Sequence, residues 1–123
     1  MQFNGIQLAA ITKAAYAMIA ADGRIDDSEM RLLVQELRSF GVSQEDAKNF
    51  ATVGMAMEPT TMLVTLSAMT DEQKKYVCGF LGSLMVVDGN IDDAEMKIWQ
   101  LTSSLMKCPT MSLHEALEYW QKN

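Results

Sequence analysis

The chain has 123 residues, of which 49% are hydrophobic and 21% charged, a composition typical of one globular domain with its own core. Its net charge of −6 argues against nucleic acid and anionic lipid as partners, because both attract basic surfaces. The first residues lack the basic start of a secretory signal. The apolar run 6–21 contains Gln7 and Lys13, and it is too short and too polar to insert into a membrane.

Six capping residues, each with a partner three positions later, mark the starts of helices. They are Asn4, Asp26, Ser43, Thr70, Asp92 and Ser112. The two prolines, Pro59 and Pro109, fall between periodic segments, where helix breakers belong. We therefore predict seven helices, near 4–21, 26–40, 43–54, 60–69, 71–87, 92–106 and 112–121.

The first and fifth of these helices are apolar on nearly every side, which predicts that they lie in the centre of a helical bundle. The second has a single apolar stripe, so it should cover the outside, with Gly41 as its left-handed cap. In the fifth helix the segment "CGFLG" places two glycines inside an apolar run, where they would allow another helix to pack closely.

One acidic turn motif occurs twice in the sequence. The pattern D-G-x-I-D-D-x-E-M begins at Asp22 and again at Asp88, 66 positions later (88 − 22). The similarity extends over 11–40 and 77–106, and "VSQEDA" and "MSLHEA" follow the two copies. The sequence thus predicts an all-α fold, one domain over 1–123, built from two pseudo-symmetric helix–turn–helix halves.

Helix initiation explains most of the repeated turn. In the first copy Asp26 is an N-cap, Glu29 would close a capping box, and Ile25 would pack on Met30 as a hydrophobic staple. Gly23 would adopt a positive φ and end the preceding helix. The second copy repeats this arrangement with Gly89, Ile91, Asp92, Glu95 and Met96.

Asp22 and Asp88 need a second explanation, since the helix dipole disfavours an anion at a C-terminal end by about 0.3–1 kcal/mol. They could accept amide hydrogen bonds within their own loops. Alternatively, they could bind metal, because D-G-x-I-D-x-x-E matches the second half of an EF-hand loop. The first half is missing, so two half-loops would have to form a composite or paired site for calcium or magnesium. Its candidate ligands are Asp22, Asp26, Glu29, Asp88, Asp92 and Glu95.

A helix ending in A-D-G, followed by I-D-x-x-E and an amphipathic helix, resembles the TerB family of tellurite-resistance proteins. It is also similar to the related N-terminal domain of a membrane-anchored DnaJ-type co-chaperone. The resemblance implies about seven helices with internal pseudo-symmetry, and acidic clusters suspected of binding divalent cations. It also implies protein partners in stress-resistance complexes, with no established enzymatic activity. The function expected is a non-catalytic binding module; the alternative is a carboxylate-based metal-dependent hydrolase, which would need an open pocket beside the acids.

The remaining residues favour structural roles. The Met-rich segment 55–69 lies between the halves and would fill the core adaptably, form a partner or homodimer surface, or, if its thioethers converged, bind Cu(I). His114 should be exposed, and Trp99 and Trp120 should belong to the core. Cys78 and Cys108 form neither a C-x-x-C motif nor a disulfide framework, which favours a reducing cytoplasm with one buried thiol and one loop thiol.

Overall fold

The computed structural model describes residues 1–21, 23–87, 89 and 91–123. This part of the chain is all-α and forms one domain, as predicted, and it contains no strand. The seven helices are α1 Gly5–Ile19, α2 Asp27–Ser39, α3 Gln44–Ala56, α4 Pro59–Ser67, α5 Asp71–Val86, α6 Asp93–Leu105 and α7 Leu113–Lys122. None of them is both long enough and apolar enough to cross a membrane.

Helix starts follow the capping residues of the sequence. All six predicted N-caps are confirmed, and each accepts a hydrogen bond from an amide in the first turn of its helix. The exception is α4, which begins at Pro59 without a side-chain cap. Proline is suited to that first position because its missing N–H would have no partner inside the helix.

Helices α1 and α5 form the centre of the bundle, which confirms the prediction from their apolar sequences. The side chains from Tyr76 to Met85 are buried without interruption, and α1 buries Leu8 to Thr12 in the same way. Around this pair, α3 and α4 pack on α1, while α6 and α7 pack on α5. Helix α2 lies outside and buries Leu33 and Leu37 from its apolar stripe.

The two glycines of "CGFLG" allow close helix packing, as predicted. A Cβ at Gly79 would lie 2.2 Å from the Ala116 carbonyl oxygen and 2.5 Å from Trp120 Cβ, so α7 approaches the backbone of α5 directly. At Gly82 a Cβ would meet Leu113 Cδ1 at 2.7 Å. The position of α7 therefore depends on the absence of side chains at these two sites.

The two halves of the chain have matching local geometry. Helix α2 begins at residue 27 and ends at 39, and α6 begins and ends 66 positions later, at 93 and 105. In the first half α3 packs on α1, with Gly54 at the contact, and in the second half α7 packs on α5. The sequence repeat is thus also a repeat of packing.

The methionines of segment 55–69 do not share one environment. Met55 is exposed and Met57 half-buried, whereas Met62 and Met69 are buried in the core. Their thioethers therefore do not converge on one site, and only Met62, Leu66 and Met69 of the segment are buried in the core. His114 is exposed beside Glu118, and Trp99 is buried, both as predicted.

Candidate metal centre

Each acidic turn starts where a glycine ends the preceding helix. Gly23 adopts a φ of +82° and Gly89 a φ of +84°, which confirms the left-handed conformation predicted for both. The Gly23 amide donates to the Ala20 carbonyl oxygen at 3.0 Å, and the Gly89 amide donates to that of Val86 at 3.0 Å. The two turns therefore leave α1 and α5 by the same route.

The two cap aspartates also have the same geometry. Asp26 Oδ1 accepts from the amides of Ser28 at 2.8 Å and Glu29 at 3.3 Å, and Asp92 Oδ1 accepts from the equivalent amides at the same two distances. The hydroxyl of Ser28 donates to Asp26 Oδ1 at 2.6 Å. That hydrogen bond, with those from the amides, holds the pKa of Asp26 below its usual range. Asp26 is therefore a stable anion near neutral pH.

The hydrogen bonds described for Asp26 and Asp92 all use Oδ1. The capping role of each carboxylate thus occupies one of its two oxygens. Because a cation can be bound through a single carboxylate oxygen, capping α2 and α6 is compatible with metal ligation through Oδ2.

Glu29 and Glu95 do not close capping boxes, so that prediction is wrong. The helices α1, α5 and α7 do have complete capping boxes, formed by the third residue of each helix. In α2 and α6, however, the glutamate at this position is buried, with 3% of Glu29 and 2% of Glu95 exposed. Two equivalent carboxyl groups thus point inward beside the acidic turns, although glutamate is almost never fully buried.

The predicted hydrophobic staples are also wrong. Ile25 is 62% exposed and Ile91 is 52% exposed, so neither side chain packs closely over the first turn of its helix. Met30 and Met96, their predicted partners, instead lie against the core. The inward face of each turn thus carries a glutamate, and the isoleucine faces solvent.

The six predicted ligands are only partly placed by the structure. Asp22 and Asp88 lie outside the described residues. Within the described part of the chain, no three histidine, cysteine, aspartate or glutamate side chains come together to hold a metal ion. The structure thus places one cap and one buried glutamate at each turn, and a complete ligand set would need Asp22 and Asp88.

Asp26, Glu29, Asp92 and Glu95 line none of four cavities in the described part of the chain, although Asp27 and Met30 line one of these. Another, of about 400 Å³, is lined by Cys78 and Cys108. No sequence motif connects the two cysteines, so their shared cavity has no local signature in the sequence.

The fold is shared with a solved structure. The crystal structure of PG1108, a protein of unknown function from Porphyromonas gingivalis W83, superposes with a TM-score of 0.84. The two sequences are 36% identical over 98% of this chain and 92% of that chain. This chain belongs to the same family as PG1108. No family model matches the chain, and no curated protein matches it. Because the function of PG1108 is itself unknown, membership of its family establishes the fold and leaves the activity to be inferred from the site.

Proposed function

We propose that this chain is a non-catalytic binding module of TerB type, whose paired acidic turns bind a divalent cation, calcium or magnesium. The proposed ligands are Asp22, Asp26, Glu29, Asp88, Asp92 and Glu95. The observation that carries the proposal is the repetition of one acidic geometry: at both turns a glycine of positive φ, a cap aspartate bonded through Oδ1 and a buried glutamate recur with matching distances.

The charge of the turns supports a cation. Eight of the sixteen acidic residues lie in the two motifs, with Arg24 as the one basic residue among them. In each motif a buried glutamate follows a cap aspartate by three residues, and repulsion between carboxylates is less screened where one of them is buried. A bound divalent cation would lower that repulsion in the folded state, and hard oxygen ligands are those that calcium and magnesium prefer.

A binding role is better supported than hydrolysis. A metal-dependent hydrolase needs an open pocket beside the metal, so that substrate and activated water can meet. The cavity of about 370 Å³ beside the first turn is lined by Asp27 and Met30, and neither Asp26 nor Glu29 lines it. Exposed apolar side chains at Ile6 and Val53, which line one groove of about 370 Å³, support a protein partner or a second copy of the chain. Two free thiols fit a reducing cytoplasm.

Thermal unfolding tests the cation directly. A ligand that binds only the folded state at a hundredfold excess over its Kd stabilises by about 2.7 kcal/mol. Since about 1 kcal/mol shifts a domain of this size by roughly 4 °C, millimolar calcium or magnesium should raise the Tm by several degrees. The double variant Asp22→Asn, Asp88→Asn should remove this response and still fold, because the caps Asp26 and Asp92 remain.

Two matched controls separate ligation from charge and from architecture. The double variant Asp27→Asn, Asp93→Asn removes the same charge from neighbouring, exposed positions and should keep the response to cations. Changing the caps Asp26 and Asp92 to alanine should lower the Tm with or without metal, because each cap satisfies amides of its helix. A wild-type melting curve unmoved by either cation, or a response lost equally in the Asp27 and Asp93 variant, would refute the proposal.

A further inference from the structure

A sulfur cluster lies where α5, α6 and the segment after α6 meet. Cys78 is 1% exposed, and its Sγ lies 3.9 Å from Met106 Sδ and 3.5 Å from Ser103 Oγ. Cys78 and Cys108 line the same cavity. Residues far apart in sequence thus bring two thiols and a thioether together.

The backbone after α6 is held in an unfavourable conformation that brings Cys108 back to α5. Lys107 has a φ of +59°, the only described non-glycine residue in the left-handed region. Three glycines fill such positions elsewhere, because a side chain is disfavoured there. The Cys108 amide then donates to the Ser103 carbonyl oxygen at 3.0 Å, which fixes the cysteine over α6. The strained turn therefore positions the second thiol.

A cavity lies beside the buried cluster, although Met106 itself does not line it. Both cysteines line the cavity of about 400 Å³, and its other lining residues supply thioethers, hydroxyls, an amide and apolar groups. No histidine, aspartate or glutamate lines it. A metal entering this cavity would therefore meet soft sulfur ligands rather than nitrogen or carboxylate oxygen.

Cysteine binds metals as the thiolate, so loading this site with a metal ion would release thiol protons.

We propose that Cys78, Cys108 and Met106 form a binding site for a soft monovalent metal ion, Cu(I). With metal–sulfur bonds of about 2.3 Å, the sulfur ligands of one ion lie about 3.8–4.0 Å apart, and Cys78 and Met106 already have that separation. Thiolates combined with a thioether select Cu(I), whereas structural zinc sites use four thiolate or imidazole ligands. The sulfur ligands of this site distinguish it from the acidic turns, whose oxygen ligands suit hard cations.

The test is competition for Cu(I) under anaerobic conditions. Reduced protein is added to the coloured complex of Cu(I) with bicinchoninate, and loss of colour measures transfer. One equivalent should move to the wild-type protein. Cys108→Ser should weaken the apparent affinity by at least about 100-fold, because it removes a ligand rather than an outer contact. Met106→Leu should weaken it about tenfold or more, and Met55→Leu, which removes an exposed thioether elsewhere, should leave it unchanged.

Circular dichroism and melting curves establish that each variant is folded, and Cys108→Ala serves as a second variant if Cys108→Ser is not. Failure of the reduced wild-type protein to take Cu(I) from the chelator would overturn the proposal, and so would equal uptake by the Cys108 variants. Formation of a Cys78–Cys108 disulfide in air, without Cu(I) uptake by the reduced form, would identify a redox pair instead. Zinc binding that is as tight as Cu(I) binding and insensitive to Met106→Leu would contradict the assignment of the thioether ligand.

Discussion

Gly79→Ala should destabilise the protein more than any other small substitution considered, by about 3 kcal/mol or more. The added Cβ would lie 2.2 Å from the backbone carbonyl oxygen of Ala116, and neither backbone can yield without separating α5 from α7. Helix α7 would then lose the packing of Trp120 on Phe80, whose ring centroids are 6.4 Å apart. In thermal unfolding, the Tm should fall by about 10 °C or more.

The matched control for this substitution is Gly5→Ala. A Cβ at Gly5 meets nothing within 4 Å, and the residue is helical at the start of α1. Alanine there should be neutral or stabilise by up to about 1 kcal/mol, because it reduces the freedom of the unfolded chain. Equal melting temperatures for the two variants would show that α7 does not depend on close approach at Gly79.

The second large effect is expected at Glu36, which joins three helices. Tyr76 on α5 donates its hydroxyl hydrogen to Glu36 Oε1, and Trp120 Nε1 on α7 donates to Oε2 at 3.1 Å. Glu36→Ala would leave both donors without their acceptor, at a cost of about 1–3 kcal/mol for each buried group. We expect a total loss of about 2–4 kcal/mol in the free energy of unfolding, measured in urea. Glu118→Ala, which removes an exposed glutamate paired with His114, should have little effect.

The same carboxyl group should give the stability a distinctive pH dependence. Burial raises the pKa of Glu36 above the ordinary value of 4.5, although the hydrogen bonds from Tyr76 and Trp120 oppose this. The folded state then binds the proton more tightly, so this contribution falls as pH rises from about 4.5 through the raised pKa. Glutamine at this position cannot titrate. The free energy of unfolding of Glu36→Gln, relative to that of wild type, should therefore increase as the pH rises through this window. Unfolding free energies that stay parallel between pH 4 and pH 7 would contradict the raised pKa.

The sequence was a good guide to the features that depend on neighbours along the chain. Six N-caps, the left-handed Gly23 and Gly89, and the central α1 and α5 were all predicted, because capping and apolar periodicity act over a few residues. The repeat also predicted that both halves would share one local geometry.

Features that depend on long-range packing were predicted wrongly or missed. Glu29 fits the local pattern of a capping box, but its burial depends on helices that the pattern does not include. The contact of Glu36 with Tyr76 and Trp120, and the shared cavity of Cys78 and Cys108, join distant segments and leave no local signature. The repetition of a glutamate at 29 and 95 was the one available signal that these side chains share an unusual environment.

The central claim is that the paired acidic turns bind a divalent cation, and calorimetric titration of the folded chain measures this most directly. Calcium or magnesium added to wild-type protein should give a saturable heat of binding at ion concentrations up to the millimolar range. The double variant Asp22→Asn, Asp88→Asn should give only the heat of dilution, because it lacks a ligand from each turn. Heats of dilution alone for the wild-type protein with both cations would contradict the claim, and would leave the two turns as architecture.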